Sequence, residues 1–474
     1  MRGNRSLATV FRAVLAAAGV LLAAGWVTVA DGKKSAFTDD EREYVQAAIH
    51  LARHGVFSHA RGPGPPVADA YREPLYPAFV AAVWLAAGVP VPERPEGLLT
   101  IEPAGSDAVR RVRAAQRLLL LLAAAMAVWA ATQMGARPAA AALGAVATLG
   151  SPALRGATDA LGSEALAALL VTASAVAFAK AQRRISLGWI LVAGLLMGAA
   201  SICRGAFLFL APVALLLLLW TSRGAVRPRR LAAGGLLMGA ALAPPVAWLA
   251  RNEAVTGHAV LSDRGGLAVY VRAELGADVR ADGARRAASA WTPAGWAEPL
   301  SRAGSWPPLV DSWQWAGGAA RPNYFVRSLR ERRRLVESTG DPLAADRQML
   351  RSALRRILND PGEYLVATVA VAWRSFFVER SPPWGRPFDL AFFVGLALFA
   401  GLLGTARRAV RARDGTALAL LLPVVYCFVF HVLATEGLPR YQQPVLPLLW
   451  AAAAAAVLPG ERPAPSSSQA RTAP

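Results

Sequence analysis

The chain has 474 residues, of which 55% are hydrophobic and 17% are charged, and its net charge is +20. A soluble protein usually carries about a quarter charged residues, so the composition argues against a soluble protein. The basic residues are almost all arginines in short runs beside apolar segments, a pattern typical of membrane topology and anionic lipid rather than of nucleic-acid binding. Two cysteines are too few for a disulfide framework.

Apolar stretches without charge recur along the chain. Each has roughly 15–20 residues, close to the length that spans about 30 Å of hydrocarbon. They predict an all-α polytopic membrane protein, a bundle of about ten to twelve helices with a cap on the outer face. The clearest stretches are 118–134, 165–179, 205–222, 231–250, 390–406 and 417–435.

The first predicted helix is the apolar run 13–30, which follows Arg2, Arg5 and Arg12. The run is long for a signal-peptide core, and the chain after it is full of spanning segments. We therefore expect an uncleaved helix whose N-terminus lies inside. The loop 31–74 then lies on the outer face.

An acidic cluster, Asp39-Asp40-Glu41, opens this loop's first helical pattern. Thr38 and Glu41 have the spacing of a capping box, and acids suit a helix N-terminus. A carboxylate on the outer face is also a candidate general base for an acceptor hydroxyl. Capping and catalysis can coexist, because three acids are more than a cap needs.

Further charged residues lie where apolar segments begin or end. Arg72, within Tyr71–Pro77, and Arg440, before the last apolar segment, are candidate ligands of a lipid phosphate, or interfacial anchors. Asp159 and Glu164 precede the helix near 161–179, and acids at the hydrocarbon boundary are often functional. The alternative for Asp159 is a helix-start cap.

The positive-inside rule places three basic clusters in the cytoplasm, near residues 180–184, 223–230 and 407–413. The chain then needs an even number of crossings between residues 74 and 159. Either 75–91 or 138–152 is therefore a partial span. Between 251–360 and 407, only 388–405 crosses, and the amphipathic stretch 364–377 lies in the interface.

Four regions follow from this topology. Residues 1–250 form an N-terminal transmembrane module that includes the loop 31–74. Residues 251–387 form an outer cap containing helical runs at 322–338 and 343–359, residues 388–458 form the C-terminal transmembrane helices, and the tail 459–474, rich in Pro, Ser and Ala, is predicted to be disordered and cytoplasmic.

The ordered set of these motifs resembles the bacterial GT-C glycosyltransferases. The matching pieces are the acidic pair followed by Tyr44, Ala48, Leu51 and Gly55, then Arg72–Pro77, Ser163-Glu164, Gly194 through Arg204, Arg251-Asn252 with Gly257, and Arg440-Tyr441 with Pro444 and Pro447. The pattern is most similar to glycosyltransferase family 39, the protein O-mannosyltransferase and aminoarabinose transferase type. It spans almost the whole chain.

The resemblance implies an inverting sugar transfer from a polyprenyl-phosphate donor, on the periplasmic or extracellular side of the cytoplasmic membrane, to a protein, lipid or envelope glycan. It implies that Asp40 is the general base, assisted by Glu41 or Asp39, and that Arg72 and Arg440 stabilise the leaving phosphate. It further implies that Asp159 or Glu164 holds the acceptor or a divalent metal. The doubled aspartate leaves the register open by one residue.

Two other readings remain open at the level of sequence. A transporter or flippase of envelope lipids or polysaccharide would carry charges inside its helices, whereas here the helix interiors are nearly free of charge. The second alternative is a non-catalytic scaffold for envelope assembly. His50 and His54, one helical turn apart, have a spacing that can bind a metal, but the sequence assures no third ligand.

Overall fold

The computed structural model describes residues 37–60, 64–98, 103–183, 185–222, 226–282, 324–375, 390–435, 439–457 and 459. Within these ranges the chain forms α-helices and three short 3-10 helices, with no β-strand. The predicted first helix at 13–30 and the predicted tail beyond residue 459 lie outside the described residues.

The described α-helices are numbered here in chain order. They are α1 Asp39–His54, α2 Leu75–Ala87, α3 Pro103–Gln133, α4 Pro138–Gly150, α5 Pro152–Asp159, α6 Glu164–Gln182, α7 Leu187–Cys203, α8 Leu210–Thr221, α9 Arg227–Thr256, α10 Gly265–Asp282, α11 Tyr324–Thr339, α12 Pro342–Asn359, α13 Pro361–Ser375, α14 Leu390–Arg411, α15 Gly415–Ala434 and α16 Leu446–Val457.

Four described segments are long and apolar enough to cross a membrane: Asp107–Gln133, Glu164–Gln182, Arg227–Thr256 and Gly415–Ala434. The predicted all-helical polytopic architecture is therefore confirmed. Both α2 and α4 have 13 residues, about 20 Å at 1.5 Å per residue, which is shorter than the hydrocarbon core. The choice of which one is a partial span stays a prediction.

The membrane bundle is held by a large apolar core in which two helices approach each other very closely. Gly194 and Gly198, one turn apart on α7, face α9. A Cβ atom at Gly198 would lie 2.5 Å from the carbonyl oxygen of Ala241, and one at Gly194 would lie 2.7 Å from that of Leu237. Small residues at this spacing let two membrane helices pack backbone to backbone.

The cap has a small core of its own, formed by helices α10 to α13. Leu267, Val271, Leu275 and Met349 are buried there, together with Val432 from the last turn of α15. The two predicted helical runs at 322–338 and 343–359 correspond to α11 and α12. The shared residue of α15 fixes the cap to the end of a candidate span.

The last predicted helix differs from the structure. The sequence predicted one helix over 443–458, whereas the chain forms a 3-10 helix at Pro439–Val445 and then α16. Pro444 lacks an amide hydrogen and disfavours helical geometry at the residue before it, so a regular helix begins only after it. The 3-10 segment carries Arg440 and Tyr441 to the cavity described next.

Candidate active site

A cavity of about 630 Å³ lies where one end of the bundle meets the cap. Its wall combines α1, the segment before α2, the turn between α5 and α6, the turn after α7, the start of α10, the end of α15 and the 3-10 segment before α16. A cavity of this size is typical of small-molecule sites. The charged side chains in its lining are Asp40, Glu41, Glu73 and Glu164, with Arg72, Arg204, Arg264 and Arg440.

The Asp40 carboxylate lies between two of these arginines. Its Oδ1 accepts a hydrogen bond from Nη2 of Arg72 at 2.5 Å, and its Oδ2 accepts one from Nη2 of Arg440 at 2.9 Å. The three residues come from the first loop and from the segment before the last helix, far apart in the chain. The structure thus brings the predicted base and both predicted phosphate ligands into direct contact.

A second carboxylate, Glu43, holds Arg72 from behind. Glu43 Oε2 accepts hydrogen bonds from Nε of Arg72 at 2.6 Å and from Nη1 of Arg264 at 2.8 Å, and its Oε1 accepts one from the Tyr71 hydroxyl at 2.9 Å. Glu43 follows the acidic cluster on the same helix. A helical residue three positions after Asp40 shares its face, which is why both acids reach Arg72.

The arginines control the charge of both acids. Burial opposes ionisation of Asp40, but Arg440, Arg72 and Arg264 outweigh it and hold the pKa of this carboxyl well below its usual range. Burial likewise opposes ionisation of Glu43, and Arg264 and Arg72 outweigh it, so its pKa is also lowered. Both carboxylates are therefore ionised at neutral pH, and each is strongly paired.

Glu41 has a structural role that the sequence anticipated. Its Oε2 accepts hydrogen bonds from the Thr38 amide at 2.8 Å and hydroxyl at 2.9 Å, and the Thr38 hydroxyl accepts one from the Glu41 amide. The capping box is confirmed. Its Oε1 accepts a further bond from the Leu161 amide at 2.8 Å, which ties α1 to the turn before α6. The role of Glu41 as an assisting catalytic group stays a prediction.

A second charged group, Glu164 with Arg204, also lines the cavity. Glu164, the first residue of α6, pairs with Arg204 at 3.0 Å. Glu73 accepts a hydrogen bond from the Gly205 amide at 3.0 Å. The ring of Tyr441 lies 5.8 Å from the Arg204 guanidinium. The cavity lining therefore contains a second carboxylate–guanidinium pair besides Asp40 with Arg72 and Arg440.

Two predicted site residues lie outside the cavity lining. Asp39 is exposed at the start of α1, and Asp159 is the last residue of α5. Asp159 Oδ1 accepts a hydrogen bond from Nη2 of Arg117 at 2.9 Å. The alternative that Asp159 caps a helix start is wrong, because a proline-initiated helix, α5, ends there and α6 begins five residues later.

No group of three His, Cys, Asp or Glu side chains that could hold a metal ion occurs among the described residues. His50 accepts or donates hydrogen bonds with Gln46 at 2.8 Å and with the carbonyl of Ser58 at 2.8 Å. These contacts occupy both ring nitrogens of His50 within its own segment. In the cavity, arginines face both oxygens of Asp40, a poor setting for a cation.

Three charged residues of the site had no role in the sequence prediction. The helical spacing between Asp40 and Glu43 is a sequence signal that places both acids on one face of α1. Arg264 comes from the start of the cap, more than two hundred residues after Glu43. Tertiary packing brings Arg264 to the cavity, and no local sequence pattern predicts this position. Arg204 was noted only as part of a motif.

Apolar side chains from the cap and from α15 complete the cavity. Leu267 and Val271 of α10 line it together with Phe430 and His431 of α15. The ring of His431 stacks on Tyr441 with 4.8 Å between centroids. The lining therefore combines apolar and aromatic side chains with charged ones, as a ligand with a polar head and an apolar body requires.

The fold and the cavity define the class of this chain: a polytopic helical membrane protein with an arginine- and carboxylate-lined cavity at one end of its bundle. No protein-family model and no curated protein sequence matches it. It is similar to the oligosaccharyltransferase AglB of Archaeoglobus fulgidus in complex with an inhibitory peptide and a dolichol-phosphate, at a TM-score of 0.48 and 12% identity, covering 94% of this chain and 50% of that chain. This chain thus spans half the length of that oligosaccharyltransferase.

A second similar structure is ArnT from Cupriavidus metallidurans bound to undecaprenyl phosphate. The TM-score is 0.38 and the identity is 17%, and the similarity covers 94% of this chain and 78% of that chain.

Proposed function

We propose that the protein is an inverting membrane glycosyltransferase. It transfers a sugar from a polyprenyl-phosphate donor to a hydroxyl of a protein, lipid or envelope glycan, on the outer face of the cytoplasmic membrane. The observation that carries the proposal is the Asp40 carboxylate held between Arg72 and Arg440 in the cavity. Displacing a sugar from a phosphate ester needs a base for the acceptor and positive charge for the leaving group, and this arrangement supplies both.

The reaction is a single displacement at the anomeric carbon of the donor. An Asp40 oxygen takes the proton of the acceptor hydroxyl, whose oxygen forms the new bond to the anomeric carbon. The bond from that carbon to the donor phosphate oxygen breaks, and its electron pair stays on the phosphate. Arg72 and Arg440 stabilise the negative charge that develops there.

The lowered pKa of Asp40 makes it a weak base while both arginines face it. A donor phosphate that binds Arg440 and Arg72 brings negative charge next to Asp40 and competes for the same guanidinium groups. Both effects raise the pKa of the carboxyl toward the range in which it accepts a proton. Donor binding therefore activates the base.

The second charged group is proposed to hold the acceptor. Glu164 and Arg204 form a separate ion pair in the cavity lining. A carboxylate and a guanidinium offer acceptors and donors to a hydroxyl-bearing substrate. The described acidic residues of the cavity each accept hydrogen bonds from arginines or backbone amides. The proposed reaction therefore includes no divalent metal.

The proposed regions follow the sequence boundaries. Residues 1–250 carry the base and Arg72, the cap 251–387 supplies Arg264 and the apolar wall, and residues 388–458 supply Arg440. The cavity opens on the side where α6 begins and α7 and α15 end. We assign that side to the exterior because the opposite ends carry Lys180, Arg183 and Arg408.

The test is sugar transfer in membranes supplied with a radiolabelled polyprenyl-phosphate sugar and an envelope extract as acceptor. We expect Asp40→Asn to lower transfer by a factor of about 10²–10⁴, because the amide cannot take the acceptor proton. Asp107→Asn, which removes a partly exposed acid outside the cavity lining, is the matched control and keeps transfer. Unchanged transfer by the Asp40→Asn protein, at equal expression, would rule out Asp40 as the base.

A further inference from the structure

The bend between α12 and α13 presents apolar side chains that the described part of the chain leaves uncovered. On α12, Leu354 is 46% exposed and Leu358 is 78% exposed, and on α13 Leu365 is 64% exposed and Val369 is 71% exposed. Two exposed arginines lie beside them. This elbow surface consists of Arg351, Leu354, Arg355, Leu358, Leu365 and Val369.

The members of the elbow surface share one side of each helix. At about 100° per residue, Arg351, Leu354, Arg355 and Leu358 fall within an arc of about 100° on α12. The opposite side of α12 carries Met349 and Ala353, which are buried in the cap.

On α13, Leu365 and Val369 are one turn apart, while Ala367 and Val371 face the cap core. Among the described residues, each helix therefore has one face in the cap core and one face that stays exposed.

The position of the elbow is fixed by contacts with the membrane bundle. The hydroxyl of Tyr364 on α13 donates a hydrogen bond to the carbonyl oxygen of Leu433, in the last turn of α15. Val432 of the same turn belongs to the cap core. Because α15 is a candidate span, the elbow lies at the height where that span ends. This is the height of the boundary between hydrocarbon and lipid headgroups.

We propose that the elbow surface docks the cap onto the bilayer and selects anionic phospholipid headgroups. Leu358, Leu365 and Val369 enter the outer part of the hydrocarbon, and Arg351 and Arg355 bind lipid phosphates beside them. Arginine suits this position, since its stem lies along apolar surface while its guanidinium pairs with phosphate. Mixed leucine and arginine on one helix face is the composition of helices that lie in the interface.

Hydrogen bonds connect the elbow surface to the cavity wall through α10. Arg272 on α10 donates hydrogen bonds to the Tyr364 carbonyl oxygen at 3.2 Å and to the Thr368 hydroxyl at 2.7 Å, both on α13. The same helix α10 places Leu267 and Val271 in the cavity lining. Lipid that holds α13 in place therefore also positions the apolar wall of the cavity.

The experiment uses the full-length protein, with Leu358→Cys carrying a fluorophore that senses polarity, reconstituted in phosphatidylcholine vesicles with or without phosphatidylglycerol. The native Cys203 and Cys427 are buried. Lipids brominated near the headgroup serve as the quencher. Ser338→Cys, at the far end of the α11–α12 hairpin and about 24 Å from Leu358 along α12, is the matched control position.

We expect quenching at position 358 and little at position 338, with stronger quenching in anionic vesicles. Each arginine near an anionic surface shifts the docking equilibrium by about fivefold, so Arg351→Gln/Arg355→Gln lowers the preference for anionic lipid by roughly 30-fold. Arg330→Gln/Arg333→Gln removes two exposed arginines of α11 and leaves the preference unchanged.

Three results would overturn the proposal. The first is a probe at position 358 that is no more quenched than one at position 338. The second is equal quenching in neutral and anionic vesicles, which would show that the arginines select nothing. The third is a probe that is shielded from water but not quenched by lipid, which would mean that protein covers the surface. None depends on sugar transfer, so the docking proposal and the proposed function can fail separately.

Discussion

The two arginines that hold Asp40 differ in their surroundings. Arg72 is buried and contacts Asp40, Glu43 and Tyr44. The side chain of Arg440 is 47% exposed. A buried ion pair that loses one partner leaves an uncompensated charge, whereas an exposed pair contributes little to stability. The two arginines therefore share a proposed role in phosphate binding but differ in what their loss costs the fold.

We expect Arg72→Gln to lower stability by roughly 3–5 kcal/mol, the usual loss when a buried pair is broken. We expect Arg440→Gln to change stability by about 1 kcal/mol or less and to lower the transfer rate by about 10²–10³, as loss of one charge-stabilising donor does. Thermal denaturation of the purified protein and transfer assays separate the two effects. A large loss of stability in the Arg440→Gln protein would contradict this distinction.

Glu41 and Asp40 are neighbours with different partners, which predicts opposite outcomes for the same chemical change. In Glu41→Gln the side-chain oxygen still completes the capping box. We therefore expect a stability loss of about 1 kcal/mol and retained transfer, in contrast to Asp40→Asn. Transfer and denaturation measured side by side check this. Loss of transfer with an unchanged melting temperature would instead assign a chemical role to Glu41.

At the scale of single residues, the sequence predicted those site residues that belong to short local motifs. Asp40, Arg72 and Arg440 lie in short ordered motifs at the ends of apolar segments, and these are the residues that the structure brings together. Asp159 was a candidate on the same grounds, yet Arg117 holds its carboxylate outside the cavity lining. Which acid pairs with which arginine depends on packing between helices that are distant in the chain. The hydropathy pattern cannot predict these pairs.

At the scale of helices, Asp263, which precedes α10, contacts both the first loop and α11. The Asp263 amide donates a hydrogen bond to the carbonyl oxygen of Ala70 at 3.1 Å, and its Oδ1 accepts one from Nη2 of Arg332 on α11 at 3.1 Å. Burial and the nearby Asp346 raise the pKa of Asp263 to about 7 against the lowering effect of Arg332 and Arg264. Asp69 also raises it.

This raised pKa gives the cap a stability that depends on pH. The folded state favours the protonated carboxyl, so the contribution is complete at pH values below the usual carboxyl pKa and is lost as the pH rises through about 7. We expect the melting temperature to lose this contribution between about pH 4 and pH 7 and Asp263→Asn to remove most of that pH dependence. Parallel pH profiles of the two proteins, recorded by thermal denaturation, check this. An identical slope in both would place the titrating group elsewhere.

Helix existence was predictable, whereas some helix ends were not. The capping box predicted the start of α1 to within one residue, because a cap is a local hydrogen-bonding pattern. The charge-free runs fall within α3, α6, α9, α14 and α15 or within α8 and the 3-10 turn before it. Proline shortened the predicted last helix. The lengths of α2 and α4 left the crossing parity unresolved, since both are short.

For the molecule as a whole, the site lies where three separate parts of the chain converge. The first loop brings Asp40 and Arg72, the cap brings Arg264, and the segment before α16 brings Arg440. Each part is held by its own packing: α1 against α2, the cap core, and the bundle core. The geometry of the cavity therefore depends on the distances between these three parts of the chain as well as on the residues that line it.

The close contact of α7 with α9 sets one of these spacings. Arg204 follows the end of α7 into the cavity, and Arg251 near the end of α9 donates hydrogen bonds to the carbonyl oxygens of Asp69 at 2.5 Å and Phe57 at 3.3 Å. We expect Gly198→Ala to lower transfer at least tenfold, because a displacement of about 1 Å can cost a factor of 10². Gly235→Ala, where a methyl group meets open space, is the control and retains transfer.

If the Gly235→Ala protein lost as much transfer as the Gly198→Ala protein, the contact would not be the cause. If the Gly235→Ala protein instead retains transfer, the lack of a side chain at Gly198 fixes the distance between α7 and α9. Gly198 is buried and lies outside the cavity lining, yet the helix spacing that it permits sets the distance between the residues after α7, which line the cavity, and the part of the first loop that Arg251 of α9 contacts.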